Sequence, residues 1–236
     1  MPAAAEPSGW TLPLFWIAWG WPYILFGFLL GSIPFGVIIG RLFFKTDIRA
    51  AGSGNIGAAN ALRTLGKTAG AAILLLDAFK GVVAVAVTAR LALPIPIYIL
   101  VAGGHPLAID APPPWSLVPM AGLAAILGHC YSPWLGFKGG KGVATFLGAC
   151  SALSWESGLT FVAVWLAVVL PTGFSSLGSL LATALAGLIL IVVGKNYGDS
   201  TIYFAFWSLA VIVWKHRENL ARLRDGTENR TLLLKR

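Results

Sequence analysis

The sequence predicts an all-α integral membrane protein of seven transmembrane helices, with its N-terminus outside and its C-terminus in the cytoplasm. Three observations carry this. Of 236 residues, 57% are hydrophobic and only 11% charged, where a globular chain carries about a quarter charged, and the mean hydropathy is +0.80. Apolar runs recur along the chain between polar, glycine-rich loops, at a length that suits helices of roughly 20 residues each. The basic residues, finally, are distributed to one side of that alternation.

Residues 1–12 are rich in Ala and Pro and carry Glu6 but no basic residue, so no cleavable signal peptide is expected. Trp10, Trp16, Trp19 and Trp21 form an interfacial lead-in, and Pro22 marks the start of helix one, residues 22–44. Residues 1–21 therefore read as an extension, 22–214 as the membrane domain and 215–236 as a basic cytoplasmic tail. The polar stretch 45–68 leads to helix two, 69–91, which contains Asp77 and Lys80. Residues 92–115, with several prolines and glycines plus Asp110, read as an extramembrane excursion. Helix three covers 116–135 and ends at Gly136-Phe137-Lys138-Gly139-Gly140-Lys141-Gly142. Two short apolar runs follow, 143–153 and 159–171, separated by 154–158 with Glu156. At that length a run suits a short or re-entrant segment, and the two are taken as spans four and five. A turn at 172–176 precedes helix six, which ends near 194. A polar loop at 195–200 precedes helix seven, 201–214.

Counting charge orients the bundle. With a cytoplasmic tail, that side holds Arg41, four basic residues in 45–68, two in the glycine loop and seven in the tail. Only Arg90 and Lys195 fall outside, which is a strong positive-inside bias. Cys130 and Cys150 lie in or beside apolar runs and read as buried thiols rather than a disulfide or metal framework.

The chemistry-bearing segments all fall on the predicted cytoplasmic side. In the glycine loop, Gly139, Gly140 and Gly142 let backbone N–H groups approach a ligand, and Lys141 adds a mobile charge. That suits an anion, and a phosphate most of all; the plainer alternative is an interhelical turn whose lysines only set topology. The loop is not a nucleotide motif: Leu135 stands where a Walker A sequence needs its first Gly, and Gly142 where it needs Ser or Thr. Gly52–Gly57 matches G-x-G-x-x-G, but after a membrane span rather than a strand the match carries no dinucleotide meaning. Gly52, Gly54 and Gly57, with Ser53, Asn55 and Asn60, instead offer donors to an anion, and Arg63 can grip it with two parallel N–H bonds. A helix cap by Ser53 or Asn55 is the alternative, as N-capping is for Ser175 or Ser176 beside Ser179. Asp77 and Lys80 sit one turn apart and suit a buried supporting pair. His216 and Asn219 share a helical face in the tail, with Glu218 between them, although a juxtamembrane basic cluster also attracts anionic lipid. His129, at the end of helix three, is placed to support the glycine loop. No spacing of His, Cys, Asp and Glu suggests a metal, and no Ser/His/Asp order suggests an acyl-enzyme.

These residues resemble the bacterial acyl-phosphate:glycerol-3-phosphate acyltransferases (PlsY type). The resemblance rests on Gly52-Ser53-Gly54-Asn55-Ile56-Gly57-Ala58-Ala59-Asn60 with Arg63 and Gly66, on Leu76-Asp77-Ala78-Phe79-Lys80-Gly81, and on Gly128-His129 through Thr145. It continues in Ser176-Leu177-Gly178-Ser179 and in His216-Arg217-Glu218-Asn219 with Arg222 and Gly226-Thr227-Glu228. The matches run in order over about 31–230. They imply a seven-helix enzyme of the bacterial inner membrane with its site on the cytoplasmic face. Its reaction would move a fatty acyl group from acyl phosphate to the 1-hydroxyl of glycerol 3-phosphate, giving lysophosphatidic acid and phosphate, the first acylation of phospholipid synthesis. The resemblance further implies no cofactor, metal or nucleic acid, contact with membrane lipid, and a functional link to an enzyme that makes acyl phosphate. Ser53, Arg63, Lys141, Ser176, Ser179, His216 and Asn219 carry over as the phosphate-binding and catalytic set. Two departures stand out: Ala59 replaces the usual Thr, and the N-terminus and the 92–115 excursion exceed the compact family form. The rival reading is a small transporter for an anionic solute, drawn from the charges near helix breaks. A lipid-phosphate phosphatase is a third, and lacks the expected His and basic arrangement.

Overall fold

The computed structural model describes residues 20–91, 97–100, 106–109 and 116–231. Trp10, Trp16 and Trp19 of the lead-in, most of the 92–115 excursion and the last five residues lie outside these. The described residues are helical apart from one antiparallel hairpin, β1 (Ile97–Leu100) and β2 (Pro106–Ile109), in which Ile97 faces Ile109. The hairpin is the one departure from the expected all-α fold, and it falls within the stretch read as an excursion.

The first apolar run is divided. α1 (Trp21–Ser32) starts with Pro22 in its first turn, as expected, but ends before Pro34, and α2 (Phe35–Phe44) begins beyond it. Proline lacks the N–H that would continue the ladder, so carbonyls at the break need other partners. The Ile33 carbonyl finds one in Lys80 Nζ, at 3.1 Å. A short α3 (Ala58–Thr64) then leads into α4 (Lys67–Leu91), the longest helix among the described residues.

α5 (Leu117–Cys130) is followed by a 3-10 turn, Pro133–Leu135, and the glycine loop. α6 (Val143–Leu153) matches the expected short span. α7 does not: it runs Trp155–Thr172 and absorbs most of the polar stretch 154–158. The reason is a cap. Ser154 accepts from Ser157 N at 3.2 Å and Glu156 lies in the first turn, so residues that look like a loop start a helix instead. α8 (Ser175–Val193), α9 (Ser200–Lys215) and a short α10 (Arg217–Arg224) complete the chain.

Among the described residues, four segments are long and apolar enough to cross a membrane: Trp21–Phe44, Lys67–Leu91, Trp155–Thr172 and Ser175–Val193. α6 and α9 are apolar but shorter. Large apolar side chains such as Leu75, Leu188 and Phe206 point outward, whereas Lys80 is among the largest fully buried side chains. That inversion of the soluble pattern is the mark of a bundle solvated by lipid. Inside, Phe146 of α6 stacks on Phe204 of α9 at 5.6 Å and tilts against Phe161 of α7 at 6.0 Å. A second cluster, including Ile39, Ile48, Ile56 and Ile73, holds α2 and the 45–57 loop onto α4.

Helices approach closely where residues are small. Gly27 and Gly31 of α1 lie on the backbone of Ala121 and Ala125 of α5, so that a Cβ at either glycine would collide with those residues. This is the small-xxx-small contact that packs helices without a hydrophobic driving force.

Candidate active site

The starts of α3, α4, α6 and α8 and the end of α9 meet at one end of the bundle. They enclose a cavity of about 540 Å³. One wall is polar, with Ser53, Arg63, Lys67, Lys141, Ser176, His216 and Asn219; the other is apolar, with Leu74, Leu147, Phe161, Val162, Trp165 and Leu166. The separate glycine- and serine-rich segments of the sequence thus form a single site.

The first segment is held by Asn60. Its side chain is buried and donates to the carbonyls of Ile48, Ala51 and Asn55, while its Oδ1 accepts from Ser53 N at 2.8 Å. The side-chain atoms of Asn60 are thus engaged in shaping the loop, and Asn60 acts as a clasp while also lining the cavity. Asn55 closes a turn by accepting from Gly57 N at 2.9 Å. Gly52 takes φ +58 directly over Asn60, where a Cβ would not fit. Gly52 and Gly54 do not line the cavity; Ser53, Asn55 and Gly57 do. Of the basic residues nearby, Arg41 and Arg49 are tied to Asp47, which leaves Arg63 and Lys67 to face the cavity.

The glycine loop is pinned to the end of α5. Gly139 N donates to Cys130 O at 3.2 Å and Gly140 N to His129 O at 3.0 Å. Gly140 packs on the His129 ring, where any Cβ would collide. Gly142, at φ +83, turns the chain into α6. Gly139 and Gly140 therefore shape the loop, and Lys141 and Gly142 line the cavity. Lys138 is exposed and does not.

Lys141 Nζ donates to Asn219 Oδ1 at 2.5 Å. Burial pushes the Lys141 ammonium down to about 8, and Arg222 and Arg63 add to this against the opposing pull of Glu228. Arg63 is likewise pushed below its usual range by burial. His216 is pushed down to about 4 by burial and by Lys141. Its Nδ1 lies 2.8 Å from Ile212 O, so Nδ1 donates and the neutral ring presents an unprotonated Nε2.

Glu228 was not singled out in the sequence beyond its place in the last motif. Its side chain is 6% exposed and accepts from Asn219 Nδ2 at 2.6 Å, Arg222 Nε at 2.8 Å and Ser176 Oγ at 2.8 Å. Burial pushes its carboxyl up, but these hydrogen bonds outweigh that and hold it below the usual range. Glu218, expected as the supporting acid, is instead 75% exposed and lies 3.8 Å from Arg217, away from the cavity. It sits on the outer face of α10, one residue off the face that carries His216 and Asn219. Ser176 and Ser179 line the cavity, yet their hydroxyls donate to Glu228 and to the Ser175 carbonyl.

Beneath the loop, Lys80 Nζ pairs with Asp77 Oδ1 at 2.7 Å and lies 2.9 Å from His129 Nδ1. All three side chains are buried, as expected for a supporting cluster.

Fold and site together define a helical integral membrane protein whose cavity has the chemistry of an anion site beside an apolar channel. Residues 21–226 match the glycerol-3-phosphate acyltransferase family model, and the chain belongs to that family. It is 41% identical to the glycerol-3-phosphate acyltransferase of Brucella anthropi over 207 residues, covering 88% of this chain and 90% of the relative. The Brucella suis protein of the same name is equally similar, at 41% over 208 residues, with the same shares covered. Two crystal structures of PlsY (YgiH), an integral membrane glycerol 3-phosphate acyltransferase, share the fold. The glycerol 3-phosphate form gives a TM-score of 0.76 at 38% identity, covering 92% of this chain and 97% of PlsY. The lysophosphatidic acid form gives 0.72 at 37%, covering 89% and 94%.

Proposed function

We propose that this membrane acyltransferase moves a fatty acyl group from acyl phosphate to the 1-hydroxyl of glycerol 3-phosphate, releasing lysophosphatidic acid and inorganic phosphate. The observation that supports it best is the division of one cavity into a cationic wall and an apolar wall. An acyl phosphate has the same division, with a dianionic head and a hydrocarbon tail. Leu74, Val162 and Leu166 line the apolar wall and remain about two-fifths exposed, so apolar surface is available there to a hydrocarbon chain.

In this reading Lys141 and Arg63 neutralise phosphate charge, joined by Ser53 and by the N-termini of α6 and α8, whose dipoles favour an anion. An acyl phosphate is already activated, so no enzyme nucleophile is needed. The 1-hydroxyl oxygen attacks the acyl carbon, the carbon–oxygen bond to phosphate breaks, and the hydroxyl proton ends on a phosphate oxygen. His216 Nε2, neutral above about pH 4, accepts the hydroxyl hydrogen bond and orients the attack; a base that weak positions better than it abstracts. Asn219, fixed between Lys141 and Glu228, sets the height of the Lys141 ammonium.

The seven-span topology, the cytoplasmic face of the site, the inner-membrane location and the link to an acyl-phosphate-producing enzyme belong to the same proposal. The test is direct. Purified protein with acyl phosphate and glycerol 3-phosphate should give lysophosphatidic acid and one phosphate per turnover, and none with acyl-CoA as donor. Product from acyl-CoA, or none from acyl phosphate, overturns the donor assignment. A transporter of anions would give no phosphate at all.

A further inference from the structure

We propose that His129 is a hydrogen-bond donor to a phosphate oxygen in the site, with its ring proton fixed on Nε2 by Lys80. The inference rests on the reading of the cavity as a phosphate site and adds to it a group that the chemistry above does not use.

The argument begins at Lys80, 1% exposed. An ammonium has three N–H donors and no acceptor. Two acceptors take hydrogen bonds from this one, Ile33 O at 3.1 Å and His129 Nδ1 at 2.9 Å, and Asp77 Oδ1 lies 2.7 Å away as its ion-pair partner. The ammonium has no lone pair, so in its contact with His129 it is Nδ1 that supplies one. Asp77 Oδ1 also lies 3.4 Å from Nδ1, which would suit the opposite tautomer. The contact to Lys80 is shorter by half an ångström, and Lys80 can only donate, so it decides. The ring hydrogen is therefore on Nε2.

Nε2 has no hydrogen-bond partner among the described residues. It abuts Gly140, where only the absence of a Cβ allows the contact, and the His129 side chain, 4% exposed, lines the same cavity as Lys141. A donor with no protein partner, on a ring that lines a site built for oxyanions, is available to a ligand that completes it. The Asp77–Lys80 pair thus has a purpose beyond joining the α1–α2 break to α4: it aims one N–H at the phosphate. Lys80 and Asp77 are positioning residues, and His129 is the group in contact.

The test compares His129→Phe, which keeps a ring and removes the donor, with His129→Gln, which keeps an N–H. Loss of a hydrogen bond to a charged oxygen is expected to cost about 10- to 100-fold in kcat/KM in His129→Phe, with partial recovery in His129→Gln. Separate KM values for acyl phosphate and glycerol 3-phosphate tell which phosphate is held. Wild-type kinetics in His129→Phe, or equal loss in both variants, overturns the proposal while leaving the acyltransfer reading intact. A second measurement needs no variant at the site. In uniformly 15N-histidine-labelled protein, assignable because the chain has three histidines, the His129 spectrum should be that of the Nε2–H tautomer. Its Nε2 resonance should shift on titration with inorganic phosphate. An Nδ1–H spectrum, or an Nε2 signal indifferent to phosphate, overturns it as well.

Discussion

Lys141 ties electrostatics to pH. Its ammonium must be charged to hold phosphate, and burial places its titration near pH 8. A depressed lysine is charged below that value and loses its charge as pH rises through it. The free-enzyme profile, kcat/KM against pH, should therefore fall on an alkaline limb near pH 8. In Lys141→Arg that limb should vanish up to pH 10, whatever the rate at pH 7; a limb left in place would show that another group titrates there. Glu228 makes the second prediction at this scale. It accepts from three side chains at once, so Glu228→Gln should lower kcat/KM by about 10- to 100-fold through displaced Asn219 and Arg222. Steady-state kinetics with both substrates measures it. The residue types at the site were readable in the sequence, because glycine, lysine and serine clusters are rare between apolar runs. Which acid mattered was not: Glu218 lies in the motif's helical stretch, while Glu228 reaches the cavity only because the chain turns back after Gly226. The clasp made by Asn60 was not legible either, because the loop whose carbonyls its side chain holds is a tertiary feature.

At the scale of elements, close packing of glycine on backbone sets helix distances. Gly31 lies against Ala125 with no room for a Cβ. Gly31→Leu should force α1 from α5 and lower the thermal midpoint in detergent by several degrees, with an overpacking cost of about 1–3 kcal/mol or more. An unchanged midpoint would mean that the contact is dispensable. Helix existence was legible from apolar runs, and helix limits were not. Pro34 lies inside a continuous apolar stretch, and only the bond from Lys80 to the Ile33 carbonyl marks the break as a junction. The run before α7 failed in the opposite sense. Ser154, Glu156 and Ser157 look like a loop by polarity, but they are a helix start by capping, so a run of 13 residues becomes a helix of 18.

For the whole molecule, the proposed orientation, which follows the positive-inside count, has the cavity on the cytoplasmic side. Lys138 is exposed on the loop beside it, whereas Cys130 and Cys150 are buried. A membrane-impermeant maleimide should therefore label Lys138→Cys in inverted vesicles and leave it unlabelled in intact cells. Labelling of intact cells would reverse the assigned orientation. Charge alone suggests the orientation that this experiment tests; the gathering of four distant segments into one cavity needed the fold.

In the proposed reaction, the apolar residues Leu74, Val162 and Leu166 along the cavity also decide what concentration means for this enzyme. A donor that enters from the bilayer is met in two dimensions, and its relevant measure is mole fraction of lipid. Adding inert phospholipid at constant donor molarity should slow the reaction, as surface dilution does, while the dependence on glycerol 3-phosphate stays molar. The rate would then follow the composition of the membrane on one axis and the cytoplasmic pool on the other.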